Sequence, residues 1–226
     1  SRHEKKDKRA FSMINVCGFN IGCFALPFVQ NFFGPGGMII ACLFDIGNAF
    51  MVTGGSFAFT STFLQTNPEE KQGSLADALL KKFVSSIPFD TYMLMLVLVM
   101  LNIPVPDVVI TIVEPIASAN SFLAMLLIGM MFEFRTRADK YRTLFGVLGL
   151  RLLFGAVFSA MLYFFLPFSL EVRQVLAVVA FAPVTSLAPI YTERCRSDGA
   201  LSSLTLSISI VTSLTVMIGL VLVMQA

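Results

Sequence analysis

Apolar residues in this chain fall into long runs divided by short polar or Gly/Pro-rich breaks. A helix needs roughly 20 apolar residues to cross the hydrocarbon core of a bilayer. Seven runs of about that kind follow one another, over 12–33, 38–64, 88–103, 108–132, 143–167, 174–192 and 200–224. The third is short and can borrow residues from either side. Between the second and third, 67–83 begins polar and then reads LADALLKKF. That segment suits either an amphipathic helix on the membrane surface or an extended start of the third span.

Composition gives the pattern its solvent. Hydrophobic residues make up 56% of the 226 and charged ones 13%, with a mean hydropathy of +0.82, whereas soluble domains carry roughly a quarter charged residues. The expected fold class is therefore an all-α membrane protein of about seven transmembrane helices, multi-pass in the cell membrane. A net charge of +2 gives no reason to expect a nucleic-acid partner. The distribution of charge says more. Of the 16 basic residues, all but Arg151 and Arg173 fall in the tail before Ala10 or in alternate loops: Lys71, Lys81 and Lys82; Arg135, Arg137, Lys140 and Arg142; Arg194 and Arg196. Cytoplasmic loops carry the excess of Lys and Arg, so the N-terminal tail is expected inside and Ala226 outside. Cys17, Cys23, Cys42 and Cys195 have no paired spacing and read as free thiols; no metal site or cofactor is expected. Beginning at Ser1 with a charged stretch, the chain reads as a piece of something longer.

Two of the spans are interrupted. The first, SMINVCGFNIGCFALPFVQNFF, has Gly18, Gly22 and Pro27 near its middle, with Asn20 just before the expected break. Pro27 lacks an N–H and crowds the carbonyl one turn back, and backbone groups freed in lipid need partners. The sixth, QVLAVVAFAPVTSLAPIYT, repeats the theme with Pro183, Thr185, Ser186 and Pro189. The two spans run in opposite directions and each is followed by one uninterrupted span, the pattern of inverted repeats whose broken helices meet near the midplane. Each second half-helix then starts in mid-membrane with unpaired N–H groups and a positive dipole end. An anion is the natural guest.

With FNIGCFALPFVQNFFGPGG, then FDIGNAF, then a mid-helix proline followed about 15 residues later by Asp198 and a Ser/Thr-rich span, the chain resembles the auxin efflux carrier family of transporters. That family includes bacterial malate and malonate carriers and plant auxin exporters. The resemblance implies ten spans in two inverted five-helix repeats, with broken fourth and ninth spans crossing at the substrate site. This chain would cover the last seven: 1–66 closing the first repeat, 67–87 a cytoplasmic linker, and 88–226 the second repeat with its broken span at 174–192. Carried over residue by residue, Asn20, Gly22 and Pro27 match the first crossing, Asn48 the Asn of the following span, and Pro183 the second crossing. Thr185 and Ser186 stand where many members have Asn or other small residues.

Charges inside the bilayer are costly and functional by default. Asp45 lies three residues before Asn48, on the same helix face, and is a candidate for proton or sodium coupling or for a hydrogen bond within the bundle. Glu114, beside Pro115 near the outer start of the fourth span, is a second ion-coupling candidate or an interfacial residue. Arg151 lies well inside the fifth, either snorkelling back to the surface or supplying charge to a transport path. Ser202, Thr205, Ser209 and Thr212 form one stripe of the last span, read as a packing surface where helices approach closely and bond across, in preference to substrate contact.

Enzymes fare badly: the lone histidine, His3, lies in the tail, so no Ser–His dyad or zinc site forms in the membrane. The expected function is a secondary active carrier of small organic anions, mono- or dicarboxylates, working by alternating access. A non-transporting sensor or receptor, or a sodium-coupled organic-anion symporter of a related inverted-repeat family, are the alternatives. The expected partners are the anion, a proton or sodium ion for coupling, and the lipid bilayer; a homodimer is allowed by this reading.

Overall fold

The computed structural model describes residues 2–64, 87–130 and 140–225. Among these the chain is helical almost throughout: α1 (Arg2–Val16), a π-helical turn (Ile21–Ala25), α2 (Leu26–Phe50), a second π-turn (Met51–Gly55), α3 (Ser56–Leu64), α4 (Ile87–Met100), α5 (Asp107–Met130), α6 (Tyr141–Phe165), α7 (Leu170–Val179), α8 (Ala188–Arg194) and α9 (Gly199–Gln225). Among the described residues three helical stretches are, by length and composition, long and apolar enough to cross a membrane, namely Ile21–Ala49, which is bent at Gly34, Tyr141–Phe165 and Gly199–Met224. This is the make-up of an all-α membrane protein.

Helix α2 is two arms meeting at Gly34, whose φ of 66° and ψ of −161° are not helical, with Pro35 after it removing a donor. The second arm is about 24 Å long at 1.5 Å per residue, and the first about 20 Å when the π-turn ahead of it is included, yet Phe19, just before the first, is hydrogen-bonded to Asn48 near the end of the second. The arms therefore fold back on each other, and the GPGG stretch between the first two apolar runs is the turn. Helix α4, with 14 residues, is about 21 Å long, well short of a 30 Å hydrocarbon core, in keeping with the short third run. The large apolar side chains of α4 and α5 are mostly exposed.

The main core gathers Ile14, Ile21, Phe24, Val178, Val184 and Leu206, from α1, α2's approach, α7, α9 and the chain between α7 and α8. A second cluster, with Phe11, Leu144, Leu148 and Leu204, fills the space between α1, α6 and α9. Most of the buried apolar surface thus surrounds the two interrupted segments.

The two ends of the bundle differ in charge. At one, Lys6 donates to the Leu64 carbonyl (3.4 Å), Ser197 to the Asp7 carbonyl (2.9 Å), and Lys140 pairs with Asp198. At the other, Gln174 donates to the Met224 carbonyl (3.2 Å) and Glu171 lies against Gly36. The loops grouped as basic by the alternation of spans thus share an end wherever they are described. Arg135, Arg137 and the LADALLKKF segment lie outside the described residues.

The candidate functional site at the helix crossing

Helix α1 ends at Val16 and the chain resumes helical form at Ile21. What stops it is Gly18, held at φ +78°, a conformation that glycine alone adopts without strain. Space adds a second constraint, since a Cβ here would stand 3.2 Å from Val52 Cγ2 and 3.4 Å from Thr185 Cγ2. Helix α7 stops at Val179, and Ala180 to Leu187 are non-helical before α8 begins. The two interruptions meet as extended backbone: Phe19 and Val184 form an antiparallel bridge, and the Asn20 N–H donates to the Pro183 carbonyl (2.9 Å).

Breaking two helices leaves carbonyls at each C-terminal end to be satisfied. The last four of α7 are taken up by the turn amides of Ala180, Phe181 and Ala182 and by the Ser159 hydroxyl, and one side chain reaches carbonyls at and just beyond both helix ends. Arg151, from α6, donates through one terminal nitrogen to the Val16 carbonyl (2.8 Å) and through the other to the carbonyls of Gly18, Ala182 and Pro183 (2.9 Å each). Since that second nitrogen has two protons for three acceptors, at least one bond is shared. The guanidinium also lies over the Phe19 ring, 4.9 Å from its centre, a cation–π distance. A positive charge thus sits where two helix dipoles present their negative ends. The side chain turns inward to the crossing, which decides against snorkelling.

Polar side chains of the following spans complete each break. The Asn48 carboxamide accepts from the Phe19 N–H (2.8 Å) and donates to the Phe19 carbonyl (2.8 Å) and to Asp45 Oδ1 (2.9 Å). These partners allow one orientation of the amide, which serves Phe19 as a neighbouring strand would. On the other side the Ser209 hydroxyl accepts from the Val184 N–H (3.1 Å) and donates to the Leu206 carbonyl (2.7 Å). One turn away, the fully buried Asn15 donates to Thr192 Oγ1 (3.3 Å) and accepts from the Ser202 hydroxyl (2.6 Å), tying α1 to α8 and α9. The Tyr191 hydroxyl donates to the Val52 carbonyl (3.1 Å) within the second π-turn.

Most of the residues singled out from the sequence meet here, in altered roles. Asn20 is buried and precedes the π-turn, but its side chain does not cap it. Asn48, expected to contact substrate, is occupied with Phe19 and Asp45. Pro183 contributes its carbonyl, and Thr185 accepts from the Leu187 N–H (3.4 Å) at the approach to α8; Ser186 is half-buried beside it. One expectation needs correction. Pro27 does not make the break: it stands in the first turn of α2, where a missing N–H costs little, and the π-turn just ahead absorbs its ring. Gly22 is exposed within the π-turn, with nothing within 4 Å of a Cβ placed there. Glu114 is exposed on α5 and joins no ion pair among the described residues.

The sequence reading missed Phe19, Asn15 and Tyr191, and placed Ser209 in a packing stripe without assigning it to the second break. An isolated Asn in an apolar run was the available signal for Asn15, since a buried carboxamide needs partners.

Two adjoining cavities open on the crossing. One, of about 420 Å³, is lined by Arg151, Phe19, Phe154 and Phe158 among others. Its neighbour, of about 430 Å³, is lined by Phe19, Phe44, Asn48 and Phe158. Their walls are aromatic and aliphatic, with Arg151 and Asn48 as the polar points.

No protein-family model, curated protein or solved structure matches the chain.

Proposed function

We propose that this chain is the crossing-bearing part of a secondary carrier for small organic anions, with the anion bound where the two interrupted helices meet. The observation that carries the proposal is the crossing itself: two broken helices joined by the Phe19–Val184 bridge, with the Arg151 guanidinium on carbonyls of both. Irregular backbone at membrane depth survives only where protein or a water-filled cavity satisfies it, and discontinuous helices of this kind form substrate and ion sites in inverted-repeat transporters. The matching supports add to this reading, Asn48 for Phe19 and Ser209 for Val184, each from the span that follows its break. So does the resemblance to the auxin efflux carriers at the first crossing. On this reading seven spans of an inverted-repeat bundle are present, with the basic end cytoplasmic.

The geometry also suggests a substrate class. Arg151 brings positive charge to the cavity wall and the rest of the lining is apolar, so a monocarboxylate with an apolar body fits better than a dicarboxylate, whose second charge would meet aromatic rings. The Asn20 carboxamide, at the start of a helix that it does not cap, is the donor assigned to the carboxylate on this reading, alongside the first amides of the π-turn. Losing one hydrogen bond to a charged group costs about 1.5–3 kcal/mol, so Asn20→Ala is expected to weaken binding by roughly 10- to 150-fold. Binding of a carboxylate panel to purified wild-type and Asn20→Ala protein tests this. Unchanged affinity in Asn20→Ala, Thr185→Ala and Ser186→Ala together would place the site elsewhere.

A further inference from the structure

The arrangement about Arg151 is that of an ion-binding site with its ion built in. Three carbonyl oxygens, from Gly18, Ala182 and Pro183, each lie 2.9 Å from one guanidinium nitrogen, and the Val16 carbonyl lies 2.8 Å from the other. Unwound carbonyls and half-helix C-terminal ends are the groups that coordinate sodium ions in carriers with broken helices. Here they come from both breaks and converge on a side chain that starts on a third element, ten residues or about 15 Å into α6. The Phe19 ring closes one face of the cation at 4.9 Å.

We propose that these carbonyls form a cation site whose resident occupant is the Arg151 guanidinium, so that the crossing is held without a bound sodium ion and transport does not couple to sodium there. Arg151 is a positioning residue: its charge offsets two helix C-termini and its nitrogens fix the two breaks against each other. Removing the side chain leaves four oxygens around a void with no positive charge. A free cation of suitable shape fills that void. A guanidinium compound reproduces the planar set of donors, and a potassium-sized ion suits oxygens at this distance better than sodium does. The clause about coupling rests on the carrier reading above, whereas the site itself does not.

The test has two arms. In the first, thermal unfolding of purified Arg151→Ala protein is followed as ethylguanidinium chloride is added in the millimolar range, with choline chloride as the control for ionic strength. The variant is expected to melt roughly 5–10 °C below wild type and to regain part of that loss saturably with ethylguanidinium, while wild type does not respond. No rescue, or equal rescue by choline chloride, would overturn the site. Arg151→Lys, which keeps the charge but offers one nitrogen, is expected to fall between wild type and Arg151→Ala, and a Lys variant no more stable than Ala would overturn the site as well; where Arg151→Ala cannot be purified, a Lys variant that melts with wild type would overturn it. In the second arm, carboxylate uptake by wild type in proteoliposomes is compared in sodium and in N-methylglucamine buffers. Equal rates are expected. Uptake that needs sodium would overturn the inference while leaving the carrier reading intact, and a thermal rescue without any carboxylate uptake would do the reverse.

Discussion

At the scale of single residues, the first break depends on a glycine and an asparagine that act on the same few atoms. Gly18→Ala would force a Cβ into the left-handed region and against Val52 and Thr185. The backbone alone costs about 1–2 kcal/mol, so a clear fall in melting temperature is expected, whereas Pro27→Ala in the first turn of α2 should be nearly silent. The reverse ranking would return the break to the proline. Asn48→Ala leaves both the Phe19 N–H and its carbonyl unpaired beside the core, for an expected loss of about 2–4 kcal/mol. Thermal unfolding of the purified variants measures each. The sequence made Gly18 and Pro27 visible as helix breakers but could not rank them. The backbone angle that decides the matter comes from the meeting of two segments more than 160 residues apart, Phe19 and Val184.

At the scale of elements, helix boundaries followed the hydrophobic runs because lipid leaves the backbone few alternatives to a helix. Departures lie where side chains or loops override that rule. Helix α1 starts at Arg2, earlier than its apolar run, because its charged first turns dock on the rest of the bundle through Lys6 and Asp7. Ser209 was legible as one member of a hydroxyl stripe, but a stripe does not say which hydroxyl meets a broken backbone. Ser209→Ala should therefore destabilise by about 1–3 kcal/mol by leaving the buried Val184 N–H unpaired, more than Thr212→Ala, whose hydroxyl bonds its own helix. Equal effects would reduce Ser209 to packing. At the other end of α9, the Asp198 carboxylate accepts from the Leu201 N–H (3.0 Å) and from Lys140. Burial alone would raise its pKa, but the Lys140 hydrogen bond and the Leu201 amide outweigh burial and hold it below the usual carboxylate range. Because the folded value is depressed, this contribution is complete above the ordinary Asp range and is lost as pH falls through the lowered value. Melting temperature should drop on acidification in wild type, and less steeply in Asp198→Asn; identical acid limbs would contradict the pairing.

At the scale of the whole molecule, the alternation of basic and non-basic loops anticipated which segments share an end of the bundle, because charge bias in membrane proteins is a global constraint that single helices do not set. The helix partners within the bundle were not legible, since apolar faces in lipid carry little information on what they pack against. If the basic end is cytoplasmic, a cysteine placed at Ser169, in a background lacking Cys17, Cys23, Cys42 and Cys195, reacts with an impermeant thiol reagent added outside intact cells. Labelling only after the membrane is opened would invert the orientation. The central claim is a carrier site at the crossing, and counterflow tests it most directly. Full-length protein containing this chain is reconstituted in proteoliposomes loaded with an unlabelled apolar monocarboxylate, and entry of the labelled compound is followed from dilute solution outside. The account predicts transient accumulation above equilibrium that saturates with external substrate and falls at least tenfold in affinity with Asn20→Ala. Flux that rises linearly with concentration and shows no counterflow would contradict it.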